Sequence, residues 1–253
     1  MELTFLGTGG CRFNMVKQIR QTGGFILKDG DFMLSVDPGP GALVYANQNG
    51  FDLEELTAVF VSHAHLDHEG DVEPMIEAMT RGCLEDRGIL ISNSDYLDSN
   101  HVHSSLSNYH REAVNEKVWA EQGSFYEFGN GFRMYFEEVV HGGIDTTGFK
   151  LDYGEKTVSW IPDTNSFEGL IDKFRDSDYL IISCARPHDM EWATHLDLSD
   201  ALKLVNEIDP EKAFITHIGV NFTHRMDEEL EWLREHRKKD NIVIAEDNMT
   251  YEL

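Results

Sequence analysis

The stretch VSHAHLDHEGD, Val61 to Asp71, places three histidines and an aspartate within six positions. It lies between the apolar run TAVFV and the segment VEPMIEAM, whose apolar residues recur at helical spacing. Side chains two apart in an extended segment point the same way, so His63 and His65 can face one point beyond a strand end. Asp67 and His68 fall on the turn into a helix and can face a neighbouring point. Because Zn²⁺ binds neutral imidazole and carboxylate, the stretch predicts a metal site, with a chance cluster on a polar loop as the alternative.

Three further candidate ligands each follow a β-like run. His141 follows FRMYFEEVV, Asp163 follows TVSWIP and His217 follows KAFIT. Each alone has an ordinary explanation as a loop, turn or strand-end residue. Taken with the first cluster, they predict five histidines and two aspartates on one rim of the fold.

The formal charge of −25 restricts the partners of this chain. Long-range repulsion opposes binding of duplex nucleic acid, whose affinity rests on Lys and Arg, but it does not exclude a small anionic substrate. No apolar run approaches the ~20 residues that a membrane helix needs, and MELTFLGTGG does not resemble a signal peptide. The three cysteines, Cys11, Cys83 and Cys184, include no CxxC pair, which favours a reducing compartment. We therefore expect a cytoplasmic protein without membrane or long duplex partners.

Strand-like runs followed by helix-like runs occur twice along the chain, with no linker between them. This order predicts an α/β fold: a single domain, residues 1–253, made of two βα halves at about 1–125 and 126–253 that form a four-layer αββα sandwich. Helices are predicted at Val72–Met79, at Asn108–Glu121, in DLSDALKLVNEI with Asp197 or Ser199 as its cap, and in DEELEWLREHRKK.

These motifs resemble the metallo-β-lactamase-fold hydrolases, in particular the branch of ribonuclease Z and cyclic phosphodiesterases. HAHLDH, His141, the aspartate of PDT and the histidine of THIG carry the resemblance, and FLGTGG, SVDPGPG and Asp247 in AEDNMTYEL extend it over nearly the whole chain. The resemblance implies two metal ions bridged by Asp163: one held by His63, His65 and His141, the other by Asp67, His68 and His217.

The same resemblance implies residues that act around the metals. His195, in ATHLDLSDAL, resembles an extra histidine that faces the scissile phosphate; the alternatives are a histidine that only bonds backbone, and His188 in ARPHDMEW as the residue in that role. Asp67 is a second catalytic candidate besides being a ligand. Asp37 is expected either to orient a ligand imidazole or to form an ordinary Asp-Pro-Gly turn.

The expected activity is hydrolysis of a small or cyclic phosphodiester, or of a short oligonucleotide, by a hydroxide that bridges two divalent ions. Zn²⁺ suits the ligands best, with Mn²⁺ or Fe²⁺ as alternatives. Only 21 residues separate His141 from Asp163, too few for the arm with which ribonuclease Z grips transfer RNA. A glyoxalase II-like thioester hydrolase and a non-catalytic metal-binding sensor or interaction module remain alternatives, and a homodimer is a hypothesis from the fold class alone.

Substrate selection is expected in residues 71–124, which are longer than the usual crossing in this family. His101, His103 and His110 lie in this segment, in NHVHSSLSNYH. Because no carboxylate lies at ligand spacing in that run, the pattern favours a polar loop or lid over a metal site.

Overall fold

The computed structural model describes residues 1–98 and 105–253, which divide into two compact units. Unit 1 comprises Met1–Thr8, Arg20–Ala120 and Glu246–Leu253, and unit 2 comprises Gly9–Ile19 and Glu121–Ala245. The main change from one unit to the other falls between Ala120 and Glu121, while Gly9–Ile19 belongs to unit 2 and Glu246–Leu253 belongs to unit 1. The description of residues 1–253 as a single domain stays a prediction.

Each unit contains one mixed β-sheet, whose strands are numbered in chain order. In the described part of unit 1 the strands are β1 (Glu2–Phe5), β2 (Phe25–Asp29), β3 (Phe32–Val36), β4 (Ala58–Val61), β5 (Arg87–Ser92), β6 (Val114–Trp119) and β14 (Thr250–Glu252). In unit 2 they are β7 (Phe125–Glu127), β8 (Arg133–His141), β9 (Ile144–Tyr153), β10 (Lys156–Ile161), β11 (Tyr179–Ser183), β12 (Lys212–Thr216) and β13 (Ile242–Ile244).

The two sheets are built on the same plan. The order is β14-β1-β2-β3-β4-β5-β6 in unit 1 and β13-β12-β11-β10-β9-β8-β7 in unit 2. Neighbours are antiparallel from β14 to β3 and parallel from β3 to β6. In the same way, neighbours are antiparallel from β7 to β10 and parallel from β10 to β13. Each sheet therefore has one edge at which the carboxyl ends of several parallel strands lie side by side.

The helices are also numbered in chain order. Unit 2 contains α1 (Cys11–Lys17), α7 (Leu170–Lys173), α8 (Leu198–Ile208), α9 (Val220–His224) and α10 (Met226–His236). The described part of unit 1 contains α2 (Ala42–Gln48), α3 (Leu66–Glu69), α4 (Val72–Met79), α5 (Ser94–Leu97), α6 (Asn108–Ala113) and the 3₁₀ turn Leu53–Glu55. Among the helices of these residues, none has the length and apolarity to span a membrane.

Apolar stripes hold the longer helices to their own sheets. In α4 the stripe has members three and four positions apart, and they pack with β4 residues in one hydrophobic cluster: Val72, Met75, Ile76 and Met79. In α8 the equivalent stripe packs with Ile182 of β11 and Ile215 of β12: Leu198, Ala201, Leu202 and Val205. Full burial of a leucine-sized side chain contributes roughly 1.5–3 kcal/mol. These stripes therefore fix each helix next to the strands whose ends carry the candidate ligands.

Local sequence patterns predicted some elements correctly and failed for others. The helices at Val72–Met79 and after Asp197 are confirmed, and the Asp197 carboxylate accepts a hydrogen bond from the Asp200 amide at 2.9 Å. The helix predicted over Asn108–Glu121 is wrong beyond Ala113, because Val114–Trp119 forms β6 in parallel pairing with β5. Strand pairing there prevails over the local helical spacing, as tertiary context often does. His101 and His103 lie outside the described residues.

Candidate metal centre

Unit 1 gathers its candidate ligands at the ends of two parallel strands. β3 is followed by Asp37, and the neighbouring β4 is followed by Ser62 and His63. His65 then lies at the amino-terminal end of α3, and His68 lies within that helix. His63 and His68 are buried, at 0% and 2% exposure. The turn from strand to helix thus brings three imidazoles of the HxHxDH motif together next to Asp37.

A chain of hydrogen bonds fixes the proton positions on two of these imidazoles. The amide and hydroxyl of Ser62 donate to the two oxygens of Asp37, at 2.6 and 2.7 Å. Since the Ser62 hydroxyl proton is engaged with the carboxylate, Ser62 Oγ accepts from His63 Nδ1, at 3.0 Å. Asp37 also accepts from His68 Nδ1, at 3.0 Å. Asp37 therefore places the proton on Nδ1 of both rings and leaves Nε2 of both as a lone-pair donor, the state that a metal requires.

The arrangement of lone pairs in unit 1 suits a cation. His63 Nε2 lies 2.8 Å from His65 Nδ1, and His68 Nε2 lies 3.9 Å from an oxygen of Asp67. In each pair a nitrogen lone pair faces a second atom that can accept a proton or bind a metal. Because this region is largely buried, a shared proton or a bound cation stabilises it more than it would in water. The imidazole and carboxylate donors fit the divalent metals that the sequence predicts.

Unit 2 repeats this construction with different strands. His141 is the last residue of β8, Asp163 follows β10 and His217 follows β12. β8 and β10 run in the same direction, since both are antiparallel to β9. After His141 the chain reverses through Gly142 and Gly143, which both have positive φ, as a tight hairpin turn requires. These three side chains therefore lie at one edge of the unit 2 sheet.

Asp163 is the centre of this second group. Its side chain lies 3.7 Å from His141 Nε2, 3.3 Å from His217 Nε2 and 3.0 Å from His195 Nε2. Ser183, the last residue of β11, donates its hydroxyl to the same carboxylate. Asp163 is only 1% exposed, and the three histidines are also buried. Three imidazoles around one buried carboxylate are the surroundings expected for an aspartate that binds metal.

The proton position on His141 tests whether a cation fits. His141 Nδ1 donates to the carbonyl oxygen of Thr194 at 2.8 Å, so a neutral ring has its lone pair on Nε2. That lone pair faces a carboxylate oxygen of Asp163 at 3.7 Å. Two electron-pair donors at this separation in a buried site are stabilised by a proton or a metal ion between them. The donor set of unit 2 therefore fits a divalent cation as well.

The structure separates His195 from its competitor, His188. His195 contacts Asp163, whereas His188 Nδ1 lies 2.9 Å from the buried carboxylate of Glu229 and its ring stacks on Trp232. These contacts explain His188 as a residue that packs within unit 2. The other ring nitrogen of His195 lies 2.9 Å from the hydroxyl of Thr194, the residue that also fixes His141.

Two residues next to His217, Gly10 and Cys11, were not predicted from the sequence to belong to the site. The amide of Cys11 donates to His217 Nε2 at 3.4 Å, and the Cys11 thiol belongs to a group with His195 and His217 in which the donor atoms lie within 4.8 Å of one another. A Cβ on Gly10 would lie 2.2 Å from the His217 ring. His217 itself has φ of 60°, an uncommon conformation for a non-glycine residue. The segment TGGC, Thr8–Cys11, therefore supports His217. Its two adjacent glycines were the sequence signal from which a close approach of another side chain could have been predicted.

Asp37 and Asp247 each hold neighbouring groups by hydrogen bonds. Asp37 orients His68, as one of its two interpretations expected. Asp247 accepts hydrogen bonds from the amide and hydroxyl of Thr8, at 2.8 and 2.7 Å, and from the amide of Gln21, at 2.9 Å. The carboxylate of Asp247 therefore holds the loop after β1 in place within unit 1.

Comparison with known proteins identifies the family. The profile described as "Beta-lactamase superfamily domain" matches residues 34–218. The uncharacterized protein MJ1374 of Methanocaldococcus jannaschii is 30% identical over 229 residues, which cover 88% of this chain and 85% of that protein. Ribonuclease Z proteins also occur among the relatives and the similar structures.

Solved structures show the fold. The metallo-beta-lactamase fold protein YhfI from Bacillus subtilis superposes with a TM-score of 0.81 at 20% identity, covering 99% of this chain and 98% of its own. A diphosphatase from the PhnP family gives a TM-score of 0.72 at 18% identity, with 99% and 96% coverage. The αββα fold expected from the sequence is confirmed. The chain belongs to the beta-lactamase superfamily and is a metal-dependent hydrolase of the metallo-β-lactamase fold, a fold that implies bound divalent metal ions.

Proposed function

We propose that this protein is a dinuclear metal-dependent phosphodiesterase that hydrolyses small or cyclic phosphodiesters or short oligonucleotides. One observation carries the proposal: His195, an imidazole beyond the predicted ligands, has Nε2 3.0 Å from Asp163. Thioester hydrolysis does not call for an additional proton donor of this kind. A phosphodiester with a poor leaving group does, because the departing oxygen must be protonated.

Two divalent ions, most simply Zn²⁺, are proposed to share Asp163, with the ligands divided as the resemblance implies: His63, His65 and His141 for one ion, and Asp67, His68 and His217 for the other. When bound, such ions would lower the pKa of a coordinated water toward neutrality and neutralise charge on the phosphate oxygens. The chain's own contribution begins with Asp37, which keeps two of these imidazoles in the ligating tautomer. Asp67, the other catalytic candidate, is proposed to act as a ligand.

His195 is proposed to supply the proton for the leaving oxygen from Nε2. Its hydrogen bonds support this tautomer, because Nε2–H can donate to Asp163 while Nδ1 accepts from the Thr194 hydroxyl. Trp192 stacks on the His195 ring, with centroids 4.2 Å apart and an angle of 14° between the planes. The Arg186 guanidinium lies 4.1 Å from the centroid of Trp192. This stack holds the imidazole in one orientation and places a cation close to it in a strongly acidic chain.

Substrate size follows from charge and from the connection after His141. Residues 141–163 are taken up by the end of β8, the strands β9 and β10, and the turns Gly142–Gly143 and Gly154–Glu155, so no RNA-gripping arm is inserted there. The charge of −25 opposes long polyanions. The named activities of ribonuclease Z and of the PhnP-family diphosphatase concern phosphate bonds, which agrees with the proposal.

The test compares two histidine variants. Metal-free protein is reconstituted with Zn²⁺ or Mn²⁺ and assayed on a 2′,3′-cyclic nucleotide, whose departing alkoxide must be protonated, and on bis(p-nitrophenyl) phosphate, whose leaving group needs no proton, with a thioester as the control substrate. On the cyclic nucleotide we expect turnover in the wild type, a loss of about 10²-fold or more in His195→Ala, and near-wild-type turnover in His188→Ala. On bis(p-nitrophenyl) phosphate the loss in His195→Ala should be much smaller. Metal content is measured for each variant, and His195→Ala is expected to retain the wild-type content.

Each other outcome contradicts a defined part of the proposal. Turnover of the thioester alone would indicate a glyoxalase II-like enzyme, and metal binding without any hydrolysis would indicate a sensor or interaction module. Full activity in His195→Ala with loss in His188→Ala would exchange their roles. Loss of metal in His195→Ala would make this residue a ligand instead of a proton donor.

The cellular compartment and the oligomeric state are also proposed from the sequence. Cys11, Cys83 and Cys184 form no disulfide bond with one another, which favours the reducing cytoplasm. A homodimer remains a hypothesis from the fold class.

A further inference from the structure

We propose a second cation site in unit 1, formed by Glu77, Cys83 and His110 and separate from the predicted dinuclear centre. We call it the thiol–imidazole site. The ligand we infer is Zn²⁺, with three protein donors and a water in the fourth position. This inference does not depend on the proposed phosphodiesterase activity.

The three donor atoms already lie close together. One carboxylate oxygen, the thiol sulfur and one imidazole nitrogen lie within 4.8 Å of one another. His110 Nε2 is 3.2 Å from Glu77 Oε1, a separation typical of two ligands on one tetrahedral zinc ion. All three residues are partly buried, and the His110 side chain is 14% exposed. A small cation can therefore bind with little rearrangement and remain in exchange with solvent.

The opposite nitrogen of His110 is held in the manner of a metal-binding histidine. Nδ1 lies 2.8 Å from the Ser107 hydroxyl and 3.2 Å from the Glu73 carboxylate. Ser107 also donates its amide to Glu73 at 2.7 Å, so this carboxylate is itself fixed. A neutral His110 that donates from Nδ1 presents its Nε2 lone pair to Glu77 and Cys83. A carboxylate behind the ring is the arrangement that orients histidine ligands in zinc sites.

Cys83 reaches the site through an unusual backbone segment. Arg81, Gly82 and Cys83 have φ of 53°, 74° and 55°, three successive left-handed residues of which two are not glycine. Such conformations persist only where the surroundings impose them. The Thr80 hydroxyl donates a hydrogen bond to the Cys83 sulfur at 3.7 Å. Among the described residues of unit 1, Cys83 is the only cysteine, and this turn places its thiol near His110.

The composition of the site selects zinc over harder ions. Thiolate and imidazole disfavour Mg²⁺ and Ca²⁺, which prefer oxygen ligands. The competing explanation is a protonated His110 that bridges Glu73 and Glu77 without any metal. That explanation accounts for the Cys83 thiol only as an acceptor of the Thr80 hydroxyl and gives no reason for its position beside the imidazole. On binding, the thiol would lose its proton to solvent, so affinity should fall as the pH is lowered.

The site would connect three parts of the segment expected to select substrate. Glu77 lies on α4, Cys83 on the turn after it, and His110 on α6. α6 is a helix of only six residues. A shared zinc ion would fasten α6 and the turn to α4, which is anchored to the unit 1 sheet. We therefore expect zinc binding to hold this segment in one conformation. The zinc ion would take no direct part in hydrolysis.

The experiment measures zinc content in the full-length protein and three variants: Cys83→Ser, His110→Ala and Glu77→Gln. At equal free Zn²⁺, fixed by a competing chelator, we expect the wild type to bind one equivalent more than each variant. Glu85→Gln, which removes a neighbouring charge outside the site, should bind as the wild type does. Zinc should raise the wild-type Tm by about 5 °C more than that of Cys83→Ser when free zinc exceeds the dissociation constant a hundredfold.

Cobalt substitution identifies the sulfur ligand. Co²⁺-loaded wild type should show a thiolate-to-metal charge-transfer band that disappears in Cys83→Ser and persists in Cys11→Ser. Equal zinc content in the wild type and all three variants would overturn the proposal and support the bridging imidazolium. A band that depends on Cys11 instead would overturn it too, by moving the thiolate to the group near His217. Failure of the phosphodiesterase assay would leave these metal counts unchanged, so the two proposals fail independently.

Discussion

The substitution Asp37→Asn tests whether one carboxylate sets the ligating state of two imidazoles. The Asp37 carboxylate accepts hydrogen bonds from the amide and hydroxyl of Ser62 and from His68. Asparagine has the same shape and also tolerates the positive φ of 47° at this position, so the backbone should not change. The change replaces one acceptor oxygen by an NH₂ group, which can only donate.

The consequences can be followed along the hydrogen bonds. If the Asn oxygen keeps the Ser62 amide, the NH₂ group faces both His68 Nδ1 and the Ser62 hydroxyl. His68 must then accept on Nδ1 and protonate Nε2, which removes a ligand lone pair. The Ser62 hydroxyl, released from a carboxylate, can donate to His63 Nδ1 and impose the same change there.

The expected loss is large enough to measure. Replacing the partner of a metal-bound histidine lowers metal affinity by about 10–100-fold, or about 1.4–2.7 kcal/mol. Because Asp37 acts on two rings, we expect the upper end, with zinc binding weakened about 100-fold. One lost hydrogen bond to a charged group should also lower the free energy of unfolding of the metal-free protein by about 1.5–3 kcal/mol.

The assay is chelator competition for Zn²⁺, combined with ¹⁵N NMR of the imidazole nitrogens in metal-free protein. Asp71→Asn is the matched control, because Asp71 lies in the same unit but accepts only from backbone amides, of Gly41 and Leu43, both at 3.1 Å. An amide oxygen can accept those bonds. Equal zinc affinity in the two variants, or a His68 ring that keeps its proton on Nδ1 in Asp37→Asn, would refute the reasoning.

Two further changes test packing and pH dependence. In Gly10→Ala the new Cβ would lie 2.2 Å from the His217 ring, so we expect lower zinc affinity and a loss of about 1–3 kcal/mol in the free energy of unfolding, measured by chemical denaturation. Gly129→Ala is the control and should be as stable as the wild type, because a Cβ there would meet no atom within 4 Å. Burial raises the pKa of Asp200, so this group stabilises the fold only at acid pH, and that contribution is lost as pH rises through its folded-state pKa. Asp200→Asn should therefore raise Tm at pH 7, and the gain should vanish below pH ~4, whereas Glu207→Gln on an exposed position of the same helix should show no such trend.

The elements that the sequence predicted well depend on local chemistry. The spacing of Val72, Met75, Ile76 and Met79 identifies α4, and the carboxylate of Asp197 identifies the start of α8. Polar residues directly after apolar runs marked the strand ends that carry the candidate ligands. Each of these signals lies within a few residues, where helix and strand periodicity restrict the conformation.

The features that the sequence did not predict depend on distant or main-chain groups. His141 is oriented by the carbonyl oxygen of Thr194, which leaves no sequence signal because every residue has a carbonyl. The amide of Cys11 meets His217 across 206 positions. His110 was predicted to lie on a polar loop because no carboxylate lies at ligand spacing within NHVHSSLSNYH, yet Glu77 lies 33 positions away and 3.2 Å distant. Such contacts follow from packing of elements whose positions periodicity does not determine.

The common plan of the two sheets explains why the candidate ligands lie where they do. In an antiparallel pair the chain turns back at once, and turn geometry decides the next residues, as Gly142 and Gly143 illustrate. In a parallel pair the chain leaves the sheet and crosses over, so the residue after the strand is free of that restriction. Asp37, His63, Asp163 and His217 all follow strands with a parallel neighbour. His141 is the exception, since it is the last residue of its strand and precedes a hairpin turn, and the carbonyl oxygen of Thr194 orients its ring. Loops after parallel strands can therefore change in length or composition without disturbing the pairing that supports the site.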